Sequence, residues 1–204
     1  MTLLTKDDAG SADAVVECLS KGGVVVLPTD TVYGLAVLPA FGESVARVFT
    51  LKGRPGSVNL PVMVSSPDDL RALGLEVSES ASRLFDSPLV PGSLTVAMGF
   101  RGDERPRWLE GREEAAVRIP DDEWLLSVLR RSGPALVTSA NAHGNETPEN
   151  VREVLAQLHG SPDLAVDGGA LRTIPSTLVN CRPDPPRVER VGAIPADEVM
   201  RYLR

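Results

Sequence analysis

Aromatic residues are scarce in this 204-residue chain, which has two tryptophans, two tyrosines and four phenylalanines. Sequence-tolerant binding of single-stranded nucleic acid relies on rows of such rings, so their scarcity weighs against an extended stacking platform. Histidine and cysteine are rarer still, with two of each. Cys18 and Cys181 lie far apart, form no metal-ligand spacing and fall in segments that read as helix and strand, so packing roles and reduced thiols are expected. His143 and His159 sit in no metal-ligand pattern either, and a serine–histidine nucleophile is poorly supported. No apolar run approaches the roughly 18 residues of a membrane span. The amino-terminal segment has Lys6, Asp7 and Asp8 where a signal peptide carries its apolar core, so a cytoplasmic protein without membrane contact is expected.

Positive charge is also in deficit. Lysine and arginine number 21 against 28 acidic residues, a formal net charge of -7, which argues against broad electrostatic binding to a nucleic-acid backbone. The one arginine cluster, Arg101, Arg105, Arg107 and Arg112, is interleaved with Asp103, Glu104, Glu110, Glu113 and Glu114 and reads as a solvated loop, irregular from Gly102 to Gly111. Three familiar fingerprints are absent: the dinucleotide G-x-G-x-x-G, the phosphate loop G-x-x-x-x-G-K-[ST] and the nucleophile elbow G-x-S-x-G.

What is present is an ordinary globular composition, 42% apolar, long enough for one well-filled core. Helical spacing and capping residues predict helices after Ser11, over Gly42 to Leu51, from Ser66-Pro67, over Ser78 to Phe85, over Asp122 to Arg131, from Thr147-Pro148 through Leu158, and over Pro195 to Leu203. Apolar runs predict strands over Gly23 to Leu27, Leu60 to Val64, Leu94 to Phe100, Ala115 to Ile119, Ala135 to Val137, Leu164 to Val166, Ser176 to Asn180 and Arg187 to Val191. Strands and helices alternate without repeats or a convincing linker. The expected fold is one α/β domain over the whole chain, a twisted mixed sheet flanked by helices.

Two strands exit into polar residues of the same kind. The run ending at Leu27-Pro28 meets Thr29-Asp30-Thr31, and the run ending at Val137 meets Thr138-Ser139-Ala140-Asn141. The predicted helix over Gly42 to Leu51 delivers Lys52 and Arg54 just past its end. With Arg118, Ser176 and Arg190 these make a set of hydroxyls, an amide and cations, groups that bind and orient rather than attack. Such a set suits joining an anionic acyl group to a nucleotide phosphate, where positioning and charge neutralisation lower the barrier.

The ordered series Pro28-Thr29-Asp30-Thr31-Val32-Tyr33-Gly34-Leu35, Lys52-x-Arg54-Pro55, Pro91-Gly92 followed by Thr95, Val117-Arg118-Ile119-Pro120, Thr138-Ser139-Ala140-Asn141, Asp167-Gly168-Gly169, Ser176-Thr177 and Arg190-x-Gly192 resembles the YrdC-like threonylcarbamoyl-AMP synthases. The match runs in order from about Gly22 to Ile194, and with its last residue at Arg204 the chain resembles the short single-domain form. The resemblance implies condensation of L-threonine, bicarbonate and ATP to threonylcarbamoyl-adenylate and pyrophosphate. Partner proteins then carry the threonylcarbamoyl group to tRNA, and direct tRNA contact by this chain is not required. It further implies that Thr31, Arg118, Ser139 and Ser176 hold threonine, with Arg118 on its carboxylate, and that Lys52, Arg54, Asn141, Thr147 and Arg190 hold ATP. Lys52 and Arg54 would be the catalytic pair, and Mg²⁺ is expected on the phosphates, bound largely through substrate oxygens and water.

Two departures stand out. After Arg54-Pro55 many relatives have Asn-Pro-Leu or Lys-Pro-Leu, whereas this chain reads Gly56-Ser57-Val58-Asn59-Leu60-Pro61, which leaves the phosphate-facing residue there unassigned. Four residues before Arg118 the family can supply a threonine to the nucleotide, and here stands Glu114. An acidic group beside a triphosphate is unfavourable unless it faces metal or solvent, so Glu114 is not counted as a ligand. Two other functions stay open from the residues alone: an RNA-binding module of the same fold, and a carbamoyl-transfer domain like that of hydrogenase maturation proteins.

Overall fold

A computed structural model describes residues 1–54, 60–102 and 113–203. The chain begins with β1 (Thr2–Thr5), α1 (Ser11–Ser20), β2 (Val25–Leu27), β3 (Gly34–Val37), α2 (Gly42–Lys52) and β4 (Val62–Met63). It continues through α3 (Asp68–Ala72), α4 (Glu79–Phe85), β5 (Leu94–Met98), β6 (Ala115–Arg118), α5 (Glu123–Ser132) and β7 (Ala135–Ser139). The last elements are α6 (Val151–Gln157), β8 (Leu164–Asp167), β9 (Thr177–Asn180), β10 (Arg187–Arg190) and α7 (Ala196–Met200). The strands form one mixed sheet in the order β1-β8-β2-β3-β7-β4-β6-β5-β9-β10, with helices on both faces, as the alternation of elements predicts.

Several boundaries differ from the sequence reading, each for a local reason. The helix expected to open at Thr147-Pro148 starts at Val151: Asn150 is its cap, accepting from Glu153 N at 3.0 Å, while Glu153 accepts from Glu149 N, so a stronger capping pair lies three residues on. Ser11 is the first helical residue rather than the cap; Gly10 takes that place at φ 85, and the Ser11 hydroxyl donates to Lys6 O. The run from Leu94 stops at Met98, and Phe100 forms an isolated bridge with Leu75. Strands β1 and β3 were not expected. The first is an edge strand paired, among the described residues, with β8 alone and is largely exposed; the second is buried at all four residues and shows no alternation. The unusual segment Gly56–Asn59 and the charged loop with Arg105, Arg107 and Arg112 fall outside the described residues.

The two faces of the sheet are covered unequally, and that places the cavity. On one face α1, through Val15 and Leu19, and α5, through Leu125, Val128 and Leu129, pack on Val25, Ala36, Val137 and Val166 of β2, β3, β7 and β8. Each of these buried valines and leucines contributes on the order of 1.5–3 kcal/mol. On the other face Val96, Val117 and Val179 of β5, β6 and β9 join the core that holds Val48 of α2 and Leu84 of α4. Because side chains alternate along a strand, Thr95, Ala97, Ala116, Arg118 and Leu178 emerge on the same face as α1 and α5, and these residues line a cavity.

Candidate functional site

The two cations of Lys52-Gly53-Arg54 are placed by the way α2 stops. Gly53 adopts the left-handed conformation at φ 59, its N–H bonds Thr50 O, and Arg54 N bonds Phe49 O at 2.9 Å, the double reversal that glycine permits at a helix end. A Cβ at Gly53 would also lie 3.0 Å from the ring of His159. The chain folds back there, so the last helical residue and the residue beyond the turn both reach the cavity.

Lys52 then meets the exit of β7. Its Nζ donates to Ser139 O, to Asn141 O at 2.6 Å and to Asn141 Oδ1 at 3.5 Å, while Lys52 O accepts from His143 N at 2.8 Å. Ser139 Oγ donates to Asn141 Oδ1 at 2.6 Å, and Asn141 Nδ2 donates to Asn145 O, so the loop is wrapped on the lysine by neutral groups. Lys52 is 3% exposed, and burial, reinforced by the Arg54 charge, pulls its pKa down to about 8. Arg54 donates to Thr138 Oγ1 at 3.4 Å, and its buried Nε has no partner among the described residues.

Thr29 organises the loop between β2 and β3. Its hydroxyl donates to Val32 O at 2.7 Å and accepts from Thr31 N and Val32 N, an arrangement that turns the Thr31 hydroxyl toward Arg118 Nη1, 2.6 Å away. Arg118, 4% exposed, also donates to Gly92 O and to Asp30 Oδ2. Burial lowers its pKa and Asp30 opposes that shift; a guanidinium stays charged regardless. From the residue before β9 and the end of β10 come Ser176, whose hydroxyl lies 2.7 Å from Thr95 Oγ1, and Arg190, whose Nη2 donates to Ser176 O at 2.8 Å.

The cavity is about 440 Å³, within the usual size of small-molecule sites. It gathers eight of the nine residues to which the resemblance gives a role: Thr31, Lys52, Arg54 and Arg118 from one half of the chain, Ser139, Asn141, Ser176 and Arg190 from the other; Thr29 lines it too. Thr147 is the exception. It does not line the cavity, because α6 begins at Val151 and leaves it in the preceding loop. Glu114 does line it, beside Glu189; Asn180 Nδ2 donates to both carboxylates, at 2.9 and 2.8 Å. Thr95 and His143 also face the cavity; Thr95 belonged to the motif series without an assigned role, and nothing in the sequence signalled His143. The motif Asp167-Gly168-Gly169 is structural. Gly168 N donates to the Tyr33 hydroxyl, which donates to Gly169 O, and a Cβ on Gly168 would sit 2.6 Å from Pro28 Cβ.

A family profile for Sua5, YciO and YrdC, described as telomere recombination, matches residues 17–192. The chain belongs to the Sua5/YciO/YrdC family. Sua5/YciO/YrdC relatives bearing the name threonylcarbamoyl-AMP synthase are 31% identical over 188 residues in Pyrococcus abyssi and 32% over 199 residues in Bacillus subtilis. The matches cover 91% and 96% of this chain but 55% and 57% of those proteins, so the chain spans little more than half their length. A structure of P. abyssi Sua5 complexed with L-threonine superposes with a TM-score of 0.88 at 28% identity, covering 98% of this chain and 60% of that one. No helix of the described residues is long and apolar enough to cross a membrane.

Proposed function

We propose that this chain is a threonylcarbamoyl-AMP synthase: it joins L-threonine, bicarbonate and ATP into threonylcarbamoyl-adenylate and releases pyrophosphate. The observation that carries the reading is a single cavity in which Lys52, Arg54 and Arg190 offer cations at positions also lined by Arg118, Thr31 and Ser176. Threonine binds through its carboxylate on Arg118 and neutral bonds to Thr31, Ser139 and Ser176. ATP lies against Lys52, Arg54, Asn141 and Arg190; Thr147, outside the cavity lining, is left out of the nucleotide site.

The chemistry asks for placement rather than a protein nucleophile. Bicarbonate takes up a proton and loses water to give carbon dioxide. The threonine nitrogen, as the free amine, bonds to its carbon as a C=O π pair moves onto oxygen, and the nitrogen then gives up a second proton to water to leave the carbamate. A carbamate oxygen then bonds to the α-phosphorus as the bond to the β-phosphate oxygen breaks, and pyrophosphate departs with that electron pair. Lys52 and Arg54 stabilise charge that grows on the transferring and leaving oxygens. Charge neutralisation on the phosphates would also come from Mg²⁺ bound with the nucleotide. Asn180 Nδ2 donates to both Glu114 and Glu189, the carboxylates that line the cavity among the described residues, and the ion would be held largely through phosphate oxygens and water. The adenylate is consumed by separate proteins that modify tRNA, in the cytoplasm.

Pyrophosphate release with and without L-threonine and bicarbonate tests this. Lys52→Ala or Arg54→Ala should lower the threonine-dependent rate by about two to three orders of magnitude while the protein keeps its cooperative unfolding. Unchanged turnover in either variant refutes the assignment. Dependence on carbamoyl phosphate instead of threonine, or tRNA binding without nucleotide turnover, would favour a carbamoyl-transfer domain or an RNA-binding module.

A further inference from the structure

Among the described residues four cations, Lys52, Arg54, Arg118 and Arg190, reach the cavity, and they are not equivalent. Among the described residues Lys52, Arg54 and Arg190 take part in no ion pair, whereas Arg118 is paired with Asp30 at 2.7 Å, the two side chains 5% and 12% exposed. Asp30 carries no role in the reading given above. Its contact fixes the guanidinium from one side while Thr31 Oγ1 and Gly92 O fix it from two others, leaving one N–H on each terminal nitrogen of Arg118 uncommitted in these bonds. The second Asp30 oxygen, Oδ1, is buried without a partner among the described residues.

An unmatched buried guanidinium attracts any anion, a phosphate as readily as a carboxylate. Matched by Asp30, it still offers two directed donors, but an incoming group that brings only negative charge is repelled by the aspartate behind it. An α-amino acid brings a carboxylate and an ammonium together and has no net charge, so it is the kind of ligand this pair tolerates. We infer that Asp30 is a positioning residue that reserves Arg118 for a net-neutral amino acid and leaves polyphosphate to Lys52, Arg54 and Arg190. The identity of the two ligands rests on the synthase reading; the division of the cavity by charge rests on the ion pair.

Calorimetric binding to the whole chain tests it with three probes: L-threonine, 3-hydroxybutyrate, which keeps the carboxylate and hydroxyl but lacks the ammonium, and ATP. The native protein should bind threonine at least about tenfold more tightly than 3-hydroxybutyrate. In Asp30→Asn, threonine affinity should fall by about tenfold or more, the preference over 3-hydroxybutyrate should collapse, and ATP affinity should change by less than about threefold. Asp30→Glu should restore part of the preference. A purely structural role for Asp30 would weaken ATP binding equally and overturns the inference, as does an Asp30→Asn protein with the native preference intact. Should Asp30→Asn fail to fold, the native comparison still decides: equal affinity for threonine and 3-hydroxybutyrate overturns the inference while leaving the synthase reading in place. No threonine binding by the native protein overturns both.

Discussion

Lys52 carries its ammonium into a 3% exposed position where every acceptor is neutral, and burial with the Arg54 charge pulls its pKa down to about 8 from the ordinary 10.5. Without ligand, the unfolded chain holds this proton more tightly than the folded one. Stability should therefore rise as pH climbs from about 8 to 10.5, the window in which only the unfolded state keeps the proton, and the charged ammonium weighs against folding at lower pH. A bound polyphosphate reverses the preference by favouring the charged form, so binding above pH 8 must take up a proton. ATP affinity is expected to be flat below about pH 8 and to fall by up to about tenfold per unit above it, with proton uptake visible in buffers of different ionisation heat. Lys52→Arg, whose guanidinium does not lose its proton, should flatten the profile even if binding is weaker. A native profile level from pH 7 to 9.5 would mean that Lys52 does not touch the phosphates.

At the scale of elements, ends mattered more than middles. The amphipathic α5 was legible together with its cap, Asp122, which accepts from Leu125 N at 2.9 Å, because a strong apolar stripe and a strong capping residue coincide there. At α6 two capping candidates compete, and Thr147-Pro148 lost to Asn150, where Glu153 completes the reciprocal bonds. Asn150→Ala should accordingly cost about 1 kcal/mol in chemical denaturation, whereas Thr147→Ala should leave stability and turnover near native. Gly53→Ala makes a different demand: alanine in a left-handed site costs roughly 1–2 kcal/mol, and the His159 ring adds a close contact. Because the same turn aims Lys52 and Arg54, its turnover should fall well beyond what the stability loss explains. Strand β3 escaped the sequence reading because four consecutive buried residues lack alternation; their strand character comes from pairing with β2 and β7.

For the molecule as a whole, the chemistry was more legible than the layout. Polar and cationic residues near the ends of apolar runs and of a helix are a local signal, and the set read that way, from Thr29 and Thr31 to Ser176 and Arg190, lines the cavity, whereas Thr147, implied by the resemblance alone, does not. The order of strands is a non-local outcome, and with it the unequal covering of the sheet that leaves Ala97, Ala116 and Leu178 as cavity lining instead of core. The cavity consequently bridges segments that are distant in sequence, from the β2–β3 loop and the end of α2 to β9 and β10. A ligand held at both ends should stabilise the fold globally rather than one loop. At a hundred times its dissociation constant ATP should add about 2.7 kcal/mol, which for a chain of this size raises the midpoint by about 5–11 °C. Hydrogen exchange should slow both near Thr31 and near Arg190, and Arg54→Ala should lose most of the shift at the same concentration. Protection confined to the Lys52 turn, with β9 and β10 unaffected, would place the nucleotide outside the shared cavity and separate the two substrates that the proposed reaction needs in contact.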